Sequence, residues 1–157
     1  MIRELLNTVN PYDVAGLFVM LVGFVIGLGA VTVIDIHGFL GRKSAYWTEA
    51  TTRTHKVTKP MIWVGMLLAI IGGVVLYRNE SLTGIPLIHA CVALTLLLNG
   101  CFLSFSVSPY LLKKEREGRA SELLPVSWQR KIAVSLVVSD LGWWGSLMLL
   151  VLYVLAR

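Results

Sequence analysis

Four apolar stretches without a single Lys or Arg dominate the chain: Val14–Ile36, Met61–Tyr77, Pro86–Phe105 and Ile132–Leu155. They run for 23, 17, 20 and 24 residues and take up 84 of 157 positions. A helix crosses a hydrocarbon layer ~30 Å thick with about 20 apolar residues, and about 17 is the lower limit. All four stretches therefore read as membrane-spanning helices of one domain covering residues 1–157. Charged residues make up 15% of the chain, against roughly 25% in a soluble domain. Disorder, nucleic-acid binding and a disulfide-stapled secreted domain are excluded as leading readings.

The net charge of +5 has a topological cause. Arg42, Lys43, Arg53, Lys56 and Lys59 lie between the first and second stretches, and Lys113, Lys114, Arg116, Arg119, Arg130 and Lys131 between the third and fourth. Only Arg3, Arg78 and Arg157 lie elsewhere. Short cytoplasmic loops carry the Lys/Arg excess. The charge split places loops one and three in the cytoplasm and both termini outside. The first stretch is longer than the ~7–15 residue core of a cleaved signal and is followed by positive charge, so it reads as a retained span. The localisation expected is a bacterial-type inner (cytoplasmic) membrane, crossed several times.

Small residues fall on single faces of three spans. Span one carries Gly16, Gly23, Gly27 and Ala30; span two carries Gly65, Ala69 and Gly72; span four carries Ser135, Ser139, Gly142 and Ser146. Such faces let helices approach closely, with Gly23-x-x-x-Gly27 as the sharpest motif. The expected architecture is an all-α, antiparallel four-helix transmembrane bundle, N-out and C-out. Asn10-Pro11-Tyr12-Asp13 reads as a helix start. Ser44 opens another, and Thr48–Val57 is readable as span two continued past the membrane with Pro60 at a kink. Asn79 and Gly84 mark a short hairpin turn, and Lys113–Arg119 reads as a solvated helical end with a charged turn. Cys91 and Cys101 lie ten residues apart on one helix, ~15 Å by helix rise, and read as packing residues with no metal-type spacing.

An ionisable side chain in the bilayer core is a functional hypothesis by default. Asp140 lies eight residues beyond Ile132, ~12 Å inside the cytoplasmic edge, with no basic residue in any span. Asn99 and Thr32 are its candidate partners, in a polar layer with Ser104 and Ser135. That layer is readable as interhelical hydrogen bonding or as a proton, ion or cofactor site. Asp35 lies at the span edge, where Arg42, Lys43 or Lys59 can reach it. His37 ends span one and His55 precedes span two, so antiparallel neighbours bring them to similar depth. Two such imidazoles are candidate ligands for haem iron or a metal, or interface residues. His89, with Trp143 and Trp144, is a candidate wall of an outer pocket, or plain aromatic packing. No catalytic signature with defined spacing is present.

The order of features, with His37 at the inner end of span one, a basic and aromatic loop, Pro60-Met61 and then Gly72-Gly73 closing span two, resembles the first half of certain four-span bacterial membrane proteins. These are the copper-resistance D domain, the haem-binding membrane protoporphyrinogen oxidase and their uncharacterised relatives. The resemblance spans roughly residues 14–77. It implies haem b as cofactor with His37 as a ligand, and a redox-linked role. Val33-Ile34-Asp35-Ile36 stands where that oxidase family has a basic residue and aromatics before its histidine, and span three lacks that family's lysine. The competing reading is a non-enzymatic subunit or assembly factor that docks other membrane proteins through its Gly and Ser faces. The lipid bilayer is a partner under both readings, and nucleic acid under neither.

Overall fold

A computed structural model describes residues 10–156, and the outer segment expected of residues 1–9 lies outside them. The described chain is helical: α1 (Pro11–Gly41), α2 (Ala45–Leu76), α3 (Gly84–Phe102), a π-helical turn (Leu103–Val107), α4 (Ser108–Arg116) and α5 (Val126–Leu155). The π turn joins α3 to α4 without a break. Four helical segments are thus long and apolar enough to cross a membrane: Pro11–Gly41, Ala45–Leu76, Gly84–Arg116 and Val126–Leu155. Each outruns the apolar stretch that announces it. The start of α1 is capped by Asn10, whose Oδ1 accepts from the Tyr12 N–H at 3.0 Å.

The first loop expected from the charge pattern is mostly helix. Only Arg42, Lys43 and Ser44 separate α1 from α2. Four of the threonines that follow satisfy their hydroxyls inside the helix, each giving its proton to a carbonyl of the preceding turn. Thr51 donates to Trp47 O at 2.7 Å, Thr52 to Thr48 O at 3.1 Å and Thr58 to Thr54 O at 3.2 Å. Thr48 reaches both Gly41 O (2.7 Å) and Ser44 O (3.0 Å), which staples the turn. Pro60 is carried inside α2.

The glycine faces of α1 and α2 meet as their spacing predicts. A methyl group added to Gly16 would lie 2.7 Å from Leu76 N, one on Gly65 2.8 Å from Gly23 O, and one on Gly72 2.7 Å from Gly16 O. These are backbone atoms, so the two helices touch main chain to main chain with no room for a Cβ. The contact pattern runs α1 and α2 in opposite directions, ending where Gly41 packs on Thr48 and Thr51.

Span four uses its small face differently. The Gly27 surface of α1 receives the ring of Trp143 from α5, and Phe24 meets the same ring edge-on with centroids 6.0 Å apart. The serines of α5 turn toward α3: Asn99 Nδ2 donates to Ser135 O (3.0 Å) and to Ser139 Oγ (3.4 Å), while Ser135 Oγ donates to Asn99 Oδ1 at 2.6 Å. Gly142 faces Leu96.

The remaining pair, α2 and α3, touches sparingly, and the contact centres on one residue of the π turn. Pro109 has no N–H to give to the carbonyl four residues back, and its ring crowds that carbonyl. The preceding turn widens instead, and the Ser108 N–H donates to Leu103 O, five residues back. That leaves Ser104 O unused within the helix, and it accepts from Lys59 Nζ at 3.4 Å. Ser104 Oγ accepts from Trp63 Nε1 at 3.0 Å. Away from this junction the two helices diverge, and they meet again where Tyr77 at the end of α2 lies 2.6 Å from His89 of α3.

Candidate functional site

The gap between α2 and α3, divided at Trp63, gives two cavities. One, of about 350 Å³, lies at the end rich in Arg and Lys; the other, of about 520 Å³, lies at the end of Asp13 and Arg78. They are called here the basic-end and opposite-end cavities.

The basic-end cavity has apolar walls, including Ile62, Trp63, Leu103 and Leu136, and a few polar groups: Asp35, His55 and Lys59 among them. Asp35 arrives there by helical register. It follows Gly27 and Val31 on α1 in four-residue steps, so it shares the face that packs on α5. Its carboxyl meets that of Asp140 on α5. Asp35 is only 8% exposed, and its Oδ2 has no hydrogen-bond partner. Neither acid forms an ion pair among the described residues. Lys59 gives its ammonium to Ser104 O, and Arg42 lies over the Phe39 ring at 3.6 Å.

Two expectations are corrected by this arrangement. Asp35 makes no salt bridge with Arg42, Lys43 or Lys59; it faces a second acid. The polar layer imagined around Asp140 breaks into separate contacts. Thr32 Oγ1 donates to Leu28 O of its own helix at 2.8 Å, Asn99 bonds Ser135 and Ser139, and Ser104 serves Trp63 and Lys59. Asp140 is left to Asp35. The sequence held one signal for this pairing: these are the two acids inside the apolar stretches, both in the halves nearest the basic loops.

His37 and His55 do reach the same depth. Ten residues past Gly27 on α1 is His37, and ten before Gly65 on α2 is His55, so the seam that sets the two glycines together levels the two imidazoles. Their surroundings differ. The His37 ring packs edge-on against Trp47, centroids 5.4 Å apart, with Nδ1 2.8 Å from Val33 O. His55 lines the basic-end cavity, and its buried Nε2 has no partner. Joint ligation of a haem by these two residues would require His37 to leave Trp47 and Val33 O. Among the described residues no three His, Cys, Asp or Glu side chains converge as a metal site.

At the opposite end, His89 and Trp143 line a common cavity with Tyr77 and Ser146, as the sequence places them. Trp144 does not: it is 55% exposed on the outward face of α5, because the next position on a helix turns ~100° away from its neighbour. His89 Nε2 is 2.7 Å from Ser146 O, an acceptor, so Nε2 carries the proton and donates. Nδ1 is then bare and accepts from the Tyr77 hydroxyl at 2.6 Å. Tyr77 also packs edge-on against Tyr153, whose hydroxyl donates to Glu80 at 3.0 Å. This end is closed by Arg78 to Asp13 at 2.7 Å. Its histidine is fully engaged and reads as a clamp joining α2, α3 and α5. Trp143 Nε1 is a buried donor there without a partner among the described residues.

No protein-family model, curated protein or solved structure matches the chain. The functional reading rests on the residues themselves.

Proposed function

We infer that this chain is an integral membrane protein of the cytoplasmic membrane, an antiparallel four-helix bundle with both termini outside, that binds a small amphiphile in its basic-end cavity. The 11 basic residues of loops one and three orient that cavity toward the cytoplasm. The carrying observation is a pair of unsatisfied buried atoms, Asp35 Oδ2 and His55 Nε2, in two residues that line one apolar-sided cavity. Buried polar groups in folded proteins are almost always hydrogen-bonded, and each orphan costs about 1–3 kcal/mol. Two orphans sharing one cavity point to a ligand that completes them. Ligand pockets with mainly apolar walls and a few polar anchors have this composition, and they commonly lie between the helices of bundles.

The docking-subunit reading loses its main support. The Gly and Ser faces meant for a partner are spent inside the chain: on α1 against α2, and on α5 against α3. Native mass spectrometry of protein extracted in mild detergent tests the amphiphile reading. The expected spectrum has a bound species of lipid-like mass, and Gly100→Leu, which puts a side chain into the cavity beside Trp63, removes it. A bare chain in both preparations, with no added amphiphile raising the melting temperature, contradicts it. An absorption spectrum run alongside identifies haem b directly; a Soret band that survives His37→Ala and shifts in His55→Ala assigns the cavity to it.

A further inference from the structure

Positive charge is general at the basic end of the bundle, but its pairing is uneven. Glu49, Glu115, Glu117 and Glu122 all form ion pairs, and their partners Arg53, Lys56, Lys113, Lys114 and Arg119 do not line the cavity. Arg42, Lys59 and Arg130 do line it, and none of these has a carboxylate partner among the described residues. The one acid among the described lining residues, Asp35, is 8% exposed, and its carboxyl is hydrogen-bonded to that of Asp140. Two carboxyl groups bond to one another only through a proton, so the pair brings at most one negative charge. The wall is left with an excess of positive charge.

The donors of these cations remain available. Arg42 makes a cation–π contact with the Phe39 ring, which uses its charge and leaves its N–H groups unspent. The Arg130 guanidinium makes no hydrogen bond or ion pair with a described residue. Lys59 gives one of its three protons to Ser104 O. Arg42 caps the end of α1 and Arg130 lies near the start of α5, both exposed. Thr48 and Trp63 of α2 line the same cavity, ~22 Å apart by helix rise, and its depth is walled by Ile62, Trp63, Leu103 and Leu136. The cavity thus joins an exposed cationic end to an apolar interior. An inorganic anion would leave the apolar walls bare, and a neutral amphiphile would leave the cations unpartnered. Guanidinium forks match the oxygens of phosphate in bidentate pairs, and an alkyl chain behind such a head covers the walls.

We propose that the basic-end cavity is a binding site for an anionic amphiphile whose phosphate head pairs with Arg42 and Arg130, Lys59 adding a further positive charge. The proposal rests on the amphiphile reading above and narrows it. The same phosphate chemistry comes from a free alkyl phosphate or from the headgroup of an acidic phospholipid.

Isothermal titration of the whole protein in phosphatidylcholine nanodiscs, with decyl phosphate, decanol and decylammonium as probes and empty discs as the blank, tests it. Decyl phosphate is expected to bind at least about tenfold more tightly than decanol, the margin of one charge-assisted hydrogen bond, and decylammonium more weakly than either. The preference is expected to vanish in Arg42→Gln with Arg130→Gln. Both side chains are exposed, so folding is expected to survive, and an unchanged melting curve verifies it. Lys43→Gln with Lys131→Gln removes the same charge from the same end of the bundle but outside the cavity, and is expected to keep the preference. If decanol binds as well as decyl phosphate, if the arginine variant keeps the preference, or if the lysine variant loses it, the proposal is overturned while the cavity remains a ligand site. If no probe binds, the amphiphile reading itself has failed and the proposal with it. Native mass spectrometry of protein released from mixed phosphatidylcholine and phosphatidylglycerol discs separates the two sources. Retained phosphatidylglycerol that decyl phosphate displaces assigns the headgroup, and decyl phosphate binding with no retained phosphatidylglycerol assigns the free compound.

Discussion

Replacing Gly65 by Ala adds one methyl group within the close-packed α1–α2 seam. The new Cβ would lie 2.8 Å from Gly23 O and closer still to the Gly27 backbone. Neither neighbour is a side chain that can swing away, so the helices must separate by several tenths of an ångström. A gap of 0.5–1 Å forfeits roughly a quarter to a half of each dispersion contact along the seam. Overpacking of this kind costs about 1–3 kcal/mol, reduced by up to about 1 kcal/mol because Ala is the better helix former. Gly29→Ala is the matched control, because nothing lies within 4 Å of its added methyl; it should be neutral or slightly stabilising. Reversible unfolding by sodium dodecyl sulfate in mixed micelles, followed by circular dichroism, measures both. The helix-forming gain is common to both variants and cancels, so the seam predicts Gly65→Ala to be less stable than Gly29→Ala by about 1–3 kcal/mol. Equal stability of the two variants would refute main-chain contact between α1 and α2.

Tyr77→Phe strips the donor from His89 Nδ1 at 2.6 Å and should cost about 1–3 kcal/mol in the same unfolding assay, whereas Tyr110→Phe should be neutral. Trp63→Phe breaks the link to Ser104; the loss in stability should be near 0.6 kcal/mol, the average for such bonds in a membrane protein, and hydrogen exchange at the π turn should rise. Arg119, through its hydrogen bond to Glu122, holds the Glu122 carboxyl below its ordinary value. That stabilising contribution is present above the ordinary carboxylate range and is lost as pH falls through the lowered value. Carbon-13 NMR of the carboxyl should show the titration move up in Arg119→Gln and in high salt, both groups being solvent-exposed. On a background lacking Cys91 and Cys101, a cysteine at position 118 should react with an impermeant maleimide only after cell lysis, and one at position 81 in intact cells; the reverse pattern would contradict the orientation.

The helices and the α1–α2 seam were readable because they depend on local rules. Apolar length marked the spans, and the spacing of Gly16, Gly23, Gly65 and Gly72 marked the faces that meet. The continuation of span two through Thr48–Val57 was readable from the helix start at Ser44, and the hydroxyls of Thr48, Thr51 and Thr52 bond back into that helix. The π turn was hidden because Pro109 in a basic loop reads as an ordinary terminus, while the freed Ser104 carbonyl matters only once Lys59 is beside it. The candidate site was half legible. Asp140 stood out by depth alone, but its facing partner depends on how α1 and α5 are set against one another. That is fixed by Trp143 seating on Gly27, a contact between residues far apart in sequence. The same distance effect split His37 from His55: their depth followed from the hairpin, and their directions did not.

The central claim is that the basic-end cavity holds an amphiphile, and photolabelling tests it most directly. A decyl amphiphile carrying a diazirine on its chain is bound to the protein in nanodiscs, irradiated, and the labelled peptides are mapped by mass spectrometry. The account predicts saturable labelling at cavity residues, Ile62, Trp63 and Leu103 foremost, removed by excess unlabelled compound. Labelling confined to outward-facing Leu67, Leu98 and Leu141, undiminished by competitor, would mean that the compound only dissolves in the surrounding lipid, and would contradict it.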